Sequence, residues 1–257
     1  MTLLDVAGTL LEVVLVDGPG ERAPVVFLHE GLGSVSQWYH RGHNWAEAIC
    51  HATGRAGVLY SRRGYGQSTQ CATRRDALAA DYMHGEAWKV LPALLQVLKI
   101  ERPILLGHSD GATIALLHAS RQTVTACIAM APHVVIEPVA IAAITQTKRA
   151  FETGNLRERL AKHHADVDGA FWQWNDVWLS EGFGQFDIRS QCRNISSPLL
   201  LIQGTNDAYG TMMQLDELTR STPHAVQCRL ANCGHFPQRD QHNLSAQLIV
   251  KFLRNMG

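Results

Sequence analysis

Hydrophobic positions in this chain follow two rhythms. Short apolar runs recur from Leu10 to Val16, over Pro24-Val25-Val26-Phe27-Leu28 and over Gly57-Val58-Leu59-Tyr60. They recur again from Pro103 to Leu106, from Val124 to Met130, over Pro198-Leu199-Leu200-Leu201-Ile202, and near Ala225 to Leu230. Their length and the Gly, Pro and Asn residues that bound them predict strands, the first two parted by a Gly18-Pro19-Gly20 turn. Between them the apolar spacing is helical, over Trp45 to Cys50, Asp76 to Lys99, the stretch after Ser109, and Asn243 to Asn255. Pro92 predicts a kink or a second helix start inside the Asp76 to Lys99 pattern. Strands alternating with helices predict a mainly parallel sheet covered on both faces.

The alternation stops after Pro138. From about Val139 to Arg193 the pattern is helical and carries Phe171, Trp172, Trp174, Trp178, Phe183 and Phe186 close together. An insertion between two strands lies over the strand ends as a cap. The expected organisation is therefore one α/β core, residues 1–138 and 194–257, with a helical cap at 139–193. No internal repeat or low-complexity stretch interrupts it.

At 257 residues the chain is long enough to bury a sizeable core. Lys plus Arg and Asp plus Glu both number 23, so no basic field points to nucleic acid or to an anionic membrane. A small, neutral or modestly polar molecule is the expected partner. The first residues lack a cationic stretch and are broken by Asp5 and Glu12, and no apolar run approaches the ~20 residues that span a bilayer. A cytoplasmic location is expected. Cys50, Cys71, Cys127, Cys192, Cys228 and Cys233 form no Cys-x-x-Cys pair, which argues for reduced structural thiols and against a zinc site or a disulfide framework. Neither a metal nor a cofactor is implied.

The chemistry concentrates around Gly107-His108-Ser109-Asp110-Gly111, a Gly-x-Ser-x-Gly pentapeptide between a predicted strand and a predicted helix. Such a turn strains the serine backbone, and the two glycines let strand and helix approach closely, so the Ser109 hydroxyl is pushed out into reach. A serine becomes a nucleophile at neutral pH only beside a base, and the base needs a third group to fix its tautomer. Asp207 follows one strand in Gly204-Thr205-Asn206-Asp207, and His235 follows the next in Asn232-Cys233-Gly234-His235-Phe236. Both fall at carboxyl ends of strands, where open parallel sheets build their sites.

The order Ser, Asp, His on this strand pattern resembles the α/β-hydrolase superfamily over nearly the whole chain. The resemblance implies Ser109 as nucleophile, His235 as general base and acid, and Asp207 as its orienter. It is nearest to bacterial hydrolases carrying a His-Glu-Gly-Leu-Gly-Ser segment and a Gly-His-Ser-Asp-Gly elbow. One oxyanion donor is the backbone N–H of Asp110, just after the nucleophile. The second, by resemblance to the family's His-Gly-x segment, falls on Gly31. There the sequence departs from the pattern, because Glu30 stands where a glycine is usual. A carboxylate at that point could repel an oxyanion, bond a substrate group or a loop amide, or pair with Arg62 or Arg63.

Other residues have two readings each. His29 is expected to order the oxyanion loop, and His108 and His133 either line the pocket or pack with satisfied rings. The Asp110 side chain suits the start of a helix. Glu137 is an alternative acid to Asp207. Among the cap aromatics, one or two of Trp172, Trp174 and Trp178 are expected to touch substrate, as is Phe236 beside the base. The segment Tyr60 to Ser68 resembles the family's Arg-Gly-x-Gly-x-Ser loop, with Ser61 where an Asp is frequent, and reads as structural.

The leading expectation is hydrolysis of a small carboxylic ester or lactone through an acyl-enzyme. Cleavage of a carbon–carbon bond in a ring-cleavage product, or a related lyase reaction, uses the same triad but needs cations for a dienoate carboxylate. Lys148, Arg149, Arg157, Arg159 and Lys162 are the cap's candidates. A ligand-binding receptor on the same fold is the third reading, and cofactor-free perhydrolysis a side activity.

Overall fold

The computed structural model describes residues 1–40, 42–71 and 78–256. Its main sheet has eight strands in the order β1-β2-β6-β3-β7-β8-β9-β10. These are β1(Thr2–Val6), β2(Thr9–Val16), β3(Val25–Leu28), β6(Gly57–Tyr60), β7(Ile104–His108), β8(Ala126–Met130), β9(Leu199–Gly204) and β10(Val226–Leu230), with β4(Tyr39–His40) and β5(His43–Asn44) forming a separate two-stranded ladder. The pairs β1/β2 and β2/β6 are antiparallel, and every pair from β6 to β10 is parallel.

The parallel strands β3, β6, β7, β8 and β9 are buried on both faces, and alternate residues serve opposite cores, whereas the edge strand β10 buries only Leu230. Val26, Leu28, Leu105 and Leu201 point to the face covered by α2(Tyr82–Gly85), α3(Leu91–Val97), α4(Asp110–Ala119) and α9(Met213–Ser221). Val25, Phe27, Leu106 and Leu200 point to the face covered by α1(Trp45–Thr53) and α10(His242–Arg254). Each such side chain, wholly buried, contributes about 1.5 to 3 kcal/mol relative to exposure. That is why the unbroken runs read correctly as central strands.

Three sequence expectations change. Strand β1 lay outside the apolar runs because Thr2 and Asp5 interrupt it. It forms at the sheet edge, where only Val6 is buried, and a hairpin holds it through Ala7 at φ 52° and Gly8 at φ 83°. Pro24 stays outside β3, since it has no N–H, although its carbonyl accepts from Ile104 N. The long helix expected from Asp76 begins at Tyr82 and is split by a π turn, Glu86–Val90, ahead of α3, where Pro92 lies in the first turn. Residues 76 and 77 lie outside the described part.

Between β8 and β9 the chain is helical, through α5(Pro138–Thr153), α6(Leu156–Leu160), α7(Val167–Trp178) and α8(Arg189–Cys192). Asp166 caps α7 by accepting from Gly169 N. A bridge between Val135 and Asp187, with Ile188 N donating to Val134 O, stitches the end of this segment to its start.

Candidate active site

The turn from β7 to α4 holds Ser109 at φ 54°, ψ −118°, a conformation that costs on the order of 1 to 3 kcal/mol for a residue with a side chain. It persists because the two elements meet so closely. A Cβ on Gly107 would stand 2.1 Å from Gly111 O, and one on Gly111 would stand 2.1 Å from Leu28 O. Ser109 N donates to Met130 O and Thr113 N donates to Ser109 O, so the turn is pinned from both sides.

Asp207 and His235 sit on loops that are themselves tied together. Asn206 N donates to Cys233 O and Thr205 N donates to Leu230 O, while a Cβ on Gly204 would lie 2.1 Å from Cys233 O. The two loops bring Ser109, His235 and Asp207 into one line. His235 Nε2 is 3.0 Å from Ser109 Oγ, and its Nδ1 is 2.9 Å from both Asp207 oxygens. With the proton on Nδ1, Nε2 is free to accept from the serine hydroxyl. Burial by itself raises the Asp207 pKa, but attraction and hydrogen bonding from His235, with a bond from Tyr209 N, hold it below the ordinary carboxylate range. Asp207 Oδ1 also accepts from Gly210 N. His108 supports the base from behind: Nε2 donates to His235 O at 2.6 Å, and Nδ1 accepts from the Gln37 and Gln238 amides. Burial keeps His108 neutral, well below the ordinary histidine value.

The loop after β3 is ordered by His29, as expected. Arg62 N donates to His29 Nε2, leaving Nδ1–H to donate to Glu30 O at 2.7 Å. Glu30 does not pair with Arg62, whose guanidinium turns to Asp110 at 3.8 Å and to the main-chain oxygens of His29 and Glu30. The Glu30 carboxylate instead accepts from Leu32 N at 2.7 Å, and burial raises its pKa. Gly31 leaves no room for a side chain, since a Cβ would stand 2.1 Å from Trp174 Nε1. Among the described residues neither the Gly31 nor the Asp110 N–H carries a hydrogen bond.

Ser109 and His235 open into a cavity of about 470 Å³. Trp174 and Trp178 of α7 line it together with Ile144, Ala150, Leu156 and Leu160, an apolar patch in a roof that also carries Gln146, Thr147, Arg159 and His163. Glu30, Gly31, Asp110, His133 and Phe236 line it from the core. Trp172 does not. It packs on Phe151 and Phe171 with Lys148 over its ring, because it lies on the opposite side of α7 from Trp174 and Trp178. His133 is buried against the Trp178 ring, and burial lowers its pKa to about 3.

Two candidate roles are corrected by position. Glu137 is held by Thr211 N, Thr211 Oγ1 and Gln214 Nε2, so it braces the start of α9 and not the histidine. The Asp110 side chain is not simply a helix-start charge: it is buried, accepts from Tyr82 OH and faces Arg62. Of the cations in the helical segment between β8 and β9, Arg159 lines the cavity, whereas Arg157 pairs with Asp168 at the surface. Sequence reasoning missed Arg239 and Tyr209. Arg239 lies over the Phe236 ring, and the Tyr209 ring lies 4.6 Å from that of His235, tilted by 38°, while its hydroxyl meets Thr147 Oγ1. A signal for Tyr209 was present in its spacing, two residues after Asp207, where an Asx-type turn forms.

No group of three His, Cys, Asp or Glu able to hold a metal occurs among the described residues, and no described helix is long and apolar enough to cross a membrane. Residues 25–247 match the Alpha/beta hydrolase family. The sequence is 23% identical to the sn-1-specific diacylglycerol lipase ABHD11 of Danio rerio over 273 aligned positions, covering 93% of this chain and 80% of that protein. In fold it is similar to a carboxylesterase of Nitrososphaera gargenis (TM-score 0.77, 16% identity, 99% of this chain and 98% of that one). It is similar also to the enol-lactonase of Burkholderia xenovorans LB400 (TM-score 0.73, 20% identity, 98% and 99%).

Proposed function

We propose that this chain, which belongs to the alpha/beta hydrolase family, hydrolyses a small carboxylic ester or lactone through an acyl-enzyme on Ser109. The observation that carries the reading is the unbroken line from Ser109 Oγ through His235 to Asp207 at the wall of the cavity. Residues 1–138 and 194–257 are read as the catalytic core and 139–193 as its cap. Among the described residues Cys50, Cys127, Cys192, Cys228 and Cys233 form no disulfide, which suits a reducing, cytoplasmic setting.

In this mechanism His235 Nε2 takes the Ser109 proton as Oγ attacks the carbonyl carbon, and Asp207 stabilises the imidazolium without taking the proton. The tetrahedral oxyanion is held by Gly31 N–H and Asp110 N–H, donors commonly worth about 3 to 4 kcal/mol each. His235 then protonates the leaving alkoxide. Water attacks the acyl-enzyme with His235 again as base, and collapse returns the proton to Ser109. The apolar patch of Ile144, Ala150, Leu156, Leu160, Trp174 and Trp178 suits the hydrocarbon part of the substrate. The similarity to a lipase, a carboxylesterase and a lactonase supports an ester or lactone bond.

A second reading, carbon–carbon hydrolysis of a dienoate, draws support from Arg159 and Arg239 on the cavity wall. Glu30, on the same wall, weighs against an anionic substrate. A panel of p-nitrophenyl esters, lactones and a ring-cleavage product separates the two. Ester or lactone turnover with poor dienoate turnover is expected, and the reverse order selects the second reading.

A further inference from the structure

Arg62 lies outside the triad and does not line the cavity, yet it reaches both strands of the chain that present the oxyanion donors. Its Nη1 donates to His29 O at 2.7 Å, its Nη2 donates to Glu30 O at 3.1 Å, and the same Nη2 stands 3.8 Å from Asp110 Oδ2. Both side chains are almost wholly buried, at 3% and 1% exposure, and the guanidinium rests on the Tyr65 ring. A charged fork held this far from water is expensive unless every contact is used.

The contacts fall on the peptide that matters. Glu30 O accepts from Arg62 Nη2, His29 Nδ1 and Gly33 N, so its direction is fixed three times over. In a trans peptide the following N–H points opposite to the carbonyl. With the Glu30 carbonyl turned to the guanidinium, the Gly31 N–H is aimed away from it, and among the described residues it has no partner. The cation at the oxygen end also polarises that peptide and strengthens the N–H as a donor. On the other side Arg62 faces the carboxylate of Asp110, whose own N–H is the second donor. Asp110 Oδ2 is tied onward through Tyr82 OH to Trp178 Nε1, which lines the cavity roof.

We infer that Arg62 and Asp110 form a buried clamp that sets the separation and aim of the two oxyanion donors, with Arg62 acting as a positioning residue. The inference rests on the acyl-enzyme reading given above. It assigns a task to the Tyr60 to Ser68 loop beyond holding the fold.

The test uses an Arg62→Met/Asp110→Asn double variant, which removes both charges together and keeps the residue 110 N–H. Catalytic centres are counted by fluorophosphonate labelling taken to completion. The kcat per centre on a p-nitrophenyl ester should fall about 100-fold with KM within about threefold of wild type. Affinity for an alkyl boronic acid, whose serine adduct carries the anionic oxygen, should fall in parallel. The acid limb of the pH–rate profile, set by the base, should not move. A merely structural role would lower the melting temperature and leave kcat per centre and boronate affinity within about threefold, and that result overturns the clamp. If the double variant does not fold, Arg62→Lys carries the test. Its single ammonium cannot span both carbonyls, so about a tenfold kcat loss is expected, and an unchanged kcat refutes the inference. Ser109→Ala is measured alongside. An inactive Ser109→Ala beside a fully active clamp variant overturns the clamp alone, whereas an active Ser109→Ala overturns both readings.

Discussion

Glu30 and Leu32 close a loop two residues long, in which the Glu30 Oε2 accepts the Leu32 N–H at 2.7 Å. The carboxylate therefore holds the segment that contains Gly31, and it does so from the cavity wall. Glu30→Gln retains an oxygen acceptor and should change kcat/KM for a neutral ester by no more than about threefold. Glu30→Ala loses a bond to a charged group, ordinarily about 1.5 to 3 kcal/mol, and should cost about tenfold. A rise in kcat for Glu30→Gln would instead mean that the charge opposes the oxyanion.

Two acids competed for the role of orienter, and their bonding separates them. Asp207→Asn should keep the shape of the site yet favour the wrong imidazole tautomer, lowering kcat by as much as ~10⁴-fold. Glu137→Gln removes charge from the brace at Thr211 and Gln214 and should leave kcat within about threefold. Steady-state kinetics on one ester decide between them. Reversed effects would exchange the assignments.

The buried histidines give the folded protein a characteristic response to acid. His133 is lowered by burial to about 3 and His164 to about 4, against an ordinary value of 6.5. As pH falls below 6.5 the unfolded chain binds protons at these positions and the folded chain does not, so stability is lost until the folded values are reached. Each histidine contributes a slope of about 1.4 kcal/mol per pH unit in that window. His133→Gln should flatten the decline between about pH 6 and 4 by roughly one proton's worth, read from urea unfolding at a series of pH values. An unchanged slope would show that His133 titrates normally when folded.

The sheet was readable in the sequence wherever both faces of a strand are buried, since burial on both sides demands an unbroken apolar run. It was unreadable at β1, where the exposed edge admits Thr2 and Asp5. The motif around Ser109 stood out because close packing of strand on helix tolerates only glycine at 107 and 111. What one-dimensional pattern could not give was the rotation of α7, which turns Trp174 and Trp178 inward and Trp172 outward, or pairings between residues far apart in the chain. Ser61 illustrates the second limit. The carboxylate that the loop lacks at 61 is supplied by Glu12 on β2, which accepts from Ser61 Oγ at 2.7 Å and Gln67 N at 3.0 Å. No local spacing announces a partner 49 residues away.

The central claim is that an acyl group passes through Ser109, and the most direct measurement is rapid mixing of the enzyme with a p-nitrophenyl ester, followed by mass analysis of the quenched protein. Wild type should release one equivalent of nitrophenol per chain in a burst wherever deacylation is the slower step. It should also carry the acyl mass on the peptide containing Ser109, and Ser109→Ala should show neither while keeping its fold by circular dichroism. Turnover by Ser109→Ala at the wild-type rate, or a wild type that binds the ester and never cleaves it, would contradict the account.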